Sequence, residues 1–504
     1  MNIFIVVLFC FMSAMLIVGF ISAKKKEETL SDYFVAGRQM NIWIVAGTYG
    51  ASFMSAGTFL GTIGYNFAYG WAALWQVIGT ITALFLLAIL LAKKFWRFGY
   101  YYDGYTMPDV IAHRYPSKWA RGIYAIIILT IYVVGMAAMY MGFYTILSLV
   151  SGFPYLVCVI IGAVVVAIYT YSGGARAVAW TDTMCMFVML AAMLILVPAC
   201  LHYSGGFEAL VTAYGQSPIP EGTTWQGGAA LLSKTNSYLI FPMSLAWFMV
   251  WTTGNMSQPH QVTRMYLAKN EKTAIGALAL VMIPFTFIYI GGVVIANYAR
   301  VLNPYLPRID SAFPSVALSI LPPLLAAIVL MGVIAAIIST CSTMLIIASQ
   351  CTSYDIYKKL INPEATDKEV LKISRATIII CSILSIVIAY FAQTITGLIF
   401  LWSSAFAMMG AGVLPSLIGA FYWKRANVPA NLSSMIVGFG YTAAMYLFPA
   451  LRPAWAQHPI LPGLILSTVV FIIVALLTKK PDKEVIDKFF GDNLKDPGKK
   501  LKKA

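Results

Sequence analysis

Residues 331–350 read MGVIAAIISTCSTMLIIASQ. The stretch is apolar and long enough to cross a bilayer as a helix, yet it carries Ser339, Thr340, Ser342 and Thr343. Helix positions three and four apart share a face. Ala336, Ser339, Thr340 and Thr343 therefore fall on one stripe, with Ser342 beside it. Hydroxyls this dense in hydrocarbon fit two readings. A dehydrated hard cation takes several oxygen ligands and no nitrogen or sulfur. Alternatively, each hydroxyl bonds back to the preceding turn or across to a neighbouring helix.

Composition sets the context. The chain has 504 residues, 60% of them hydrophobic and 11% charged, against roughly 25% charged in soluble domains. It reads as a polytopic membrane protein. The first apolar run, 2–22, is followed by Lys24, Lys25 and Lys26. A signal peptide carries its charges before the apolar run, so this run is a retained span. The cysteines (10, 158, 185, 200, 341, 351 and 381) follow neither a disulfide framework nor a metal-ligand spacing.

Thirteen stretches are candidate spans: 2–22, 42–67, 70–92, 123–150, 153–171, 178–202, 236–256, 273–298, 321–350, 376–393, 396–421, 428–449 and 459–478. With Lys24–Lys26 inside and the spans alternating, every Lys and Arg except Lys234, Arg300, Arg308 and Arg452 falls on the inside. The net charge of +15 is thus a positive-inside signal, and nucleic acid is not an expected partner. An odd span count puts the N terminus out and the C terminus in. The inside segment 93–121 mixes bases and aromatics and reads as interfacial. The tail, 479–504, reads as a solvated basic end that meets anionic lipid.

Two spans look interrupted. The second runs through Gly47, Thr48, Gly50, Ser52, Ser55, Gly57, Thr58, Gly61 and Gly64. The seventh runs through Thr252, Thr253, Gly254 and Asn255 into Ser257-Gln258-Pro259. Their offset of five spans gives them opposite topology, the pattern of an inverted-repeat transporter with a midplane site. The eleventh span carries Trp402, Ser403, Ser404, Gly410, Gly412 and Pro415 and reads as a hinge. Asp182 is the one carboxylate inside a predicted span. Such a residue is a functional hypothesis, although a carboxylate near a helix start is also favoured by the macrodipole. No Lys or Arg lies deep in any span to pair with it. A cation held by Asp182, Ser342 and Thr343 is one constellation these positions allow.

Several phrases resemble the bacterial sodium:solute symporter family. They are Asp32-Tyr33-Phe34-Val35-Ala36-Gly37-Arg38, Gly173-Gly174-Ala175-Arg176 through Asp182, Ala335-Ala336-Ile337-Ile338-Ser339-Thr340, and Gly419-Ala420-Phe421-Tyr422-Trp423-Lys424-Arg425-Ala426-Asn427. The similarity runs in order from about residue 30 to 480. It implies an all-α fold of thirteen transmembrane helices like that of the leucine transporter. An extra helix (1–30) precedes two inverted five-helix repeats (42–202 and 236–421); two peripheral helices (428–478) and the basic tail (479–504) follow.

The resemblance also implies a sodium site built from the backbone carbonyls of Ala51, Met54 and Ala336 and the hydroxyls of Ser339 and Thr340. A further sodium site would use Asp182, Ser339, Ser342 and Thr343. The solute pocket would lie at the broken second span, around Phe53, Ser55 and Thr58, facing Gln76, Trp247, Trp251, Asn255 and Trp402. Proline-carrying relatives have Asp where Phe53 stands, and sugar carriers have an acid in the third span, where this chain offers Gln76. The closing region from Tyr422 to Asn427, through His458 to Pro462, is similar to that of pantothenate symporters. The expectation is sodium-coupled uptake of a small organic acid, pantothenate or a monocarboxylate, by alternating access across the cytoplasmic membrane. The partners are then the solute, sodium and the lipid bilayer. A sodium/proline or sodium/sugar symporter of the same mechanism is the alternative. A sensor of the same fold would need an output domain, for which the tail is too short. An enzyme is not expected, since the spans hold no nucleophile–base pair or metal motif.

Overall fold

The computed structural model describes residues 3–23, 29–219, 241–394, 397–456 and 458–490. Among these the regular structure is all helical, apart from a single bridge between Met40 and Ala268. The helices used below are α1 (Ile3–Ala23), α2 (Ile42–Phe53), α3 (Ile63–Tyr69), α4 (Leu74–Leu86), α5 (Met107–Arg114), α6 (Lys118–Ser151), α7 (Tyr155–Tyr203), α8 (Phe241–Ser257), α9 (Glu271–Leu302), α10 (Ala312–Ile320), α11 (Pro323–Gln350), α12 (Asp367–Ala392), α13 (Leu398–Tyr422), α14 (Val428–Leu447), α15 (Ile460–Leu477) and α16 (Lys483–Phe490).

Nine helices among the described residues are long and apolar enough to cross a membrane, against thirteen predicted spans. The difference has local causes. The second span is divided, and its first part, α2, has only 12 residues. The fifth and sixth spans run into each other as α7, with a kink at Gly174, whose φ of 52° is left-handed. The described part of the seventh span, α8, has 17 residues.

α11 is the axis of the molecule. Every residue from 331 to 350 is buried, as expected of a helix that is apolar on all sides. Around it pack α7, α6, α12, α1 and α2. Small residues allow the close approaches. A Cβ on Gly332 would meet Ala192 of α7 at 2.6 Å, and one on Gly254 of α8 would meet Phe406 of α13 at 2.7 Å.

On the side predicted to face the cytoplasm, 93–121 is not a loose interfacial segment. Its Arg114 is fully buried and donates to the carbonyls of Ala420 (3.2 Å), Trp423 (3.0 Å) and Lys424 (3.3 Å). It therefore satisfies orphan carbonyls at the C-terminal end of α13. A second buried knot joins α5, α6 and the continuation of α11. Arg121 donates to Asp109 at 2.8 Å and to Asp355 at 2.6 Å. Asp109 also caps α5, accepting from the Tyr105 and Thr106 amides at 2.9 and 3.2 Å. Thr106 Oγ1 donates to Asp355 at 3.0 Å.

The tail is not wholly solvated either. α16 lays the buried Phe489 against Phe98, Tyr102 and Phe421, and Tyr102 donates to the Lys488 carbonyl at 2.6 Å. The adjacent Phe489 and Phe490 give this short helix an apolar side to bury. Residues 491–504 of the predicted tail lie outside the described residues.

Candidate functional site: an oxygen cage at a broken helix

α2 ends at Phe53, and Met54 is extended (φ −92°, ψ 131°). The chain resumes as a wide helical turn, Gly57–Thr62, before α3. Two side chains make the restart. The Ser55 amide donates to Thr58 Oγ1 at 3.2 Å, and the Gly57 amide donates to Ser55 Oγ at 3.1 Å. This is the reciprocal bonding of a helix N-cap, so Ser55 and Thr58 have an architectural role whatever else they touch. Thr58 Oγ1 also lies 3.0 Å from the Tyr289 hydroxyl of α9.

Because the Ser55 amide turns to Thr58, it does not close the turn onto the Ala51 carbonyl. The break releases the Ala51 and Met54 carbonyls toward α11. There Ser339 Oγ donates to Ala51 O at 3.1 Å and to Ala336 O at 3.2 Å, and Thr340 Oγ1 donates to Met54 O at 3.0 Å. The structure thus gathers all five of Ala51, Met54, Ala336, Ser339 and Thr340, each fully buried. Three carbonyls and two hydroxyls make a neutral, all-oxygen set. That suits a hard monovalent cation; divalent sites recruit carboxylates.

One turn further along α11 the arrangement differs. Ser342 Oγ bonds back to Ser339 O at 3.0 Å. Asp182 is fully buried and accepts from Thr48 Oγ1 at 2.7 Å. Asp182 was expected to lack a basic partner; it has one. Arg264 Nη2 lies 2.9 Å from Asp182 Oδ2 and also donates to Thr343 Oγ1, while its Nε donates to Ser52 Oγ at 3.0 Å. Arg264 belongs to the turn Thr263–Leu267. α8 stops at an extended Gln258 (φ −76°, ψ 120°), restarts with Pro259 in its first turn, and so carries Arg264 back into the core.

The predicted pocket residues separate into groups. Trp402 of α13 lies against Gly57 and stacks edge-on with Phe406 at 4.8 Å; Phe406 in turn meets Trp251 at 5.0 Å. Trp247 sits apart, beside Tyr65 (4.4 Å), Phe400 (6.1 Å) and His458 (5.7 Å). Burial, with Arg452 nearby, lowers the His458 pKa to about 3, so this ring is neutral. Phe53 faces Phe285 at 4.8 Å and Tyr49 at 5.9 Å, away from the Trp402 group. Gln76 donates to Thr62 O at 3.4 Å. Asn255 accepts from Gln261 at 2.8 Å.

Several buried polar atoms near these residues have no hydrogen-bond partner among the described residues. They are Gln76 Oε1, the indole nitrogens of Trp247 and Trp251, both amide atoms of Gln258, and Gln261 Oε1. Leaving one such atom unsatisfied costs about 1–3 kcal/mol, so a cluster needs an explanation. The sequence reading missed Gln258, Gln261 and Tyr289. Gln258, immediately before Pro259 at the break, was the one with a local signal.

Residues 33–438 match the model of the sodium:solute symporter family. The chain belongs to that family. Among similar proteins are the sodium/pantothenate symporters of Escherichia coli (29% identical, covering 90% of this chain and 92% of the relative) and Haemophilus influenzae (27%, 89% and 91%). The sodium/proline symporter of E. coli is also similar (26%, 96% and 95%). The fold resembles that of a substrate-bound, outward-open Na+-coupled sialic acid symporter: 19% identity, 95% of this chain and 99% of that one, TM-score 0.77. It also resembles Mhp1, a nucleobase-cation-symport-1 family transporter, at 14% identity, 92% and 99% coverage and TM-score 0.55. The symporter is therefore a multi-pass membrane protein that couples solute movement to sodium.

Proposed function

We propose that this symporter carries a small organic acid, pantothenate or a monocarboxylate, inward with sodium across a bacterial cytoplasmic membrane. The observation that carries the reading is the neutral cage of Ala51, Met54, Ala336, Ser339 and Thr340, together with the unpaired buried donors of Trp251 and Gln258. Sodium in the cage joins the broken second span to α11 and places positive charge next to the Trp402–Trp251 group. The wide turn after Ser55 is the start of a half-helix, whose dipole favours a carboxylate near its N-terminal end. The Trp251 indole N–H and the Gln258 amide supply further donors for the acid and any hydroxyls or amides attached to it. The two similar pantothenate symporters agree with this choice.

In this reading the chain crosses thirteen times, N-out and C-in, with inverted repeats at 42–202 and 236–421. Sodium binding completes the outward-facing pocket, and both ligands leave inward when the repeats rock. One charge crossing about 100 mV contributes about 2.3 kcal/mol; a monoanionic acid carried with one sodium cancels that charge, so the sodium concentration gradient drives its accumulation.

The test is uptake of labelled pantothenate, pyruvate, acetate, proline and glucose, each in turn, into proteoliposomes under an inward sodium gradient. The expected result is saturable uptake of one of the acids and none of proline or glucose. If labelled proline or glucose is carried and no acid is, the solute assignment is wrong.

A further inference from the structure

The family resemblance offers Asp182, Ser342 and Thr343 for a further sodium ion, but the oxygens there already hold a cation that belongs to the chain. The Arg264 guanidinium is bonded to Asp182 Oδ2 at 2.9 Å, to Ser52 Oγ at 3.0 Å and to Thr343 Oγ1. Ser342 is turned back to its own helix. Arg264 is 4% exposed and Asp182 fully buried. Among the described residues one oxygen of this group, Asp182 Oδ1, has no hydrogen-bond partner, and a single oxygen does not make a sodium site. A guanidinium cannot lose its charge in a protein and presents several donors in a fixed fork. It therefore neutralises Asp182 permanently, and a sodium ion on the same oxygens would meet it at close range.

We propose that Arg264 is a tethered cation standing where a second sodium would sit, so that this chain binds a single sodium ion, in the Ser339–Thr340 cage. The proposal rests on that cage being the sodium site. Arg264 is delivered by the restart of the broken seventh span. It reaches side chains of the second span (Ser52), the sixth (Asp182) and the ninth (Thr343). The pair thus ties α7, one helical turn from the cage, to the two helices that build it.

The test counts bound 22Na+ per purified chain. Wild type binds one sodium with a Hill coefficient of about 1, and D182N still binds one. R264Q frees Asp182, Ser52 and Thr343 and binds two, and R264Q/D182N returns to one. Two ions in wild type with one lost in D182N would overturn the proposal, because Asp182 would then hold sodium with Arg264 present. A count of one in R264Q would overturn the equivalence of guanidinium and ion. Should R264Q not fold, wild type against D182N decides. S339A is the separate control: if wild type binds sodium but S339A binds as much, the cage assignment fails, independently of the count.

Discussion

Replacing Ser339 by Ala raises the sodium concentration that half-saturates uptake by roughly ten- to a hundred-fold. The hydroxyl is one of two side-chain oxygens in the cage; the other three ligands are carbonyls that no point substitution removes. A hydrogen bond or contact to a charged group contributes about 1.5–3 kcal/mol, and each 1.4 kcal/mol is about tenfold in affinity. Alanine fits the space, since the side chain only shortens. Thr340→Ala acts similarly, whereas Thr340→Ser keeps the oxygen and stays close to wild type. The check is initial uptake rate against sodium concentration, with potassium holding ionic strength constant. An unchanged sodium curve in both alanine variants would mean that the hydroxyls only pack α11 against α2.

The second large effect is on folding, at the Asp109–Arg121–Asp355 knot. Arg121→Met leaves two buried carboxylates facing each other with no cation between them. Removing one partner from a buried ion pair costs about 3–5 kcal/mol, and here two partners are stranded at once. Asp355→Asn has the opposite logic. It leaves Asp109 and Arg121 as a neutral pair and keeps an acceptor for the Thr106 hydroxyl, so the loss is small. Thermal unfolding in detergent, followed by loss of the monodisperse peak, separates the two variants. An Arg121→Met protein as heat-resistant as Asp355→Asn would show that the knot does not hold the molecule together. The knot also bears on coupling. Ser339 and Asp355 lie on one continuous helical path, 16 residues apart and hence about 24 Å at 1.5 Å per residue. What happens at the cage is thereby connected to the far end of the ninth span.

The parts of this site that were legible in the sequence are those whose signal is local. The run of Gly, Ser and Thr from Gly47 to Gly64 announces a helix that unwinds. The hydroxyls of Ser339 and Thr340 announce oxygen in hydrocarbon. Asp182 announces itself as a charge in an apolar run. Arg264 is different. Hydropathy places it outside the seventh span, among cations that the positive-inside rule already explains. Its partner is 82 positions away, and only the restart after Gln258-Pro259 brings the two together. Arg114 and Arg121 were hidden for the same reason, because a basic residue near a headgroup region is unremarkable until its carbonyl or carboxylate partners are seen. The span count differed where helices were short or continuous, as in α2 and α7, because hydropathy windows respond to apolar length and not to backbone continuity. Phe53, grouped with Trp402 by sequence, turns instead to Phe285, since neighbours across a helix break depend on the angle of the restart.

Whether sodium held between the broken second span and α11 drives transport is decided by the choice of driving ion. Proteoliposomes loaded with potassium are diluted into sodium, into potassium, or into potassium with an inward proton gradient, and the carried solute is followed over the first minute. Concentrative, saturable uptake is expected in sodium and only passive entry in the other two. Accumulation driven by the proton gradient in potassium, at a rate matching that in sodium, would contradict this and move the coupling away from the cage.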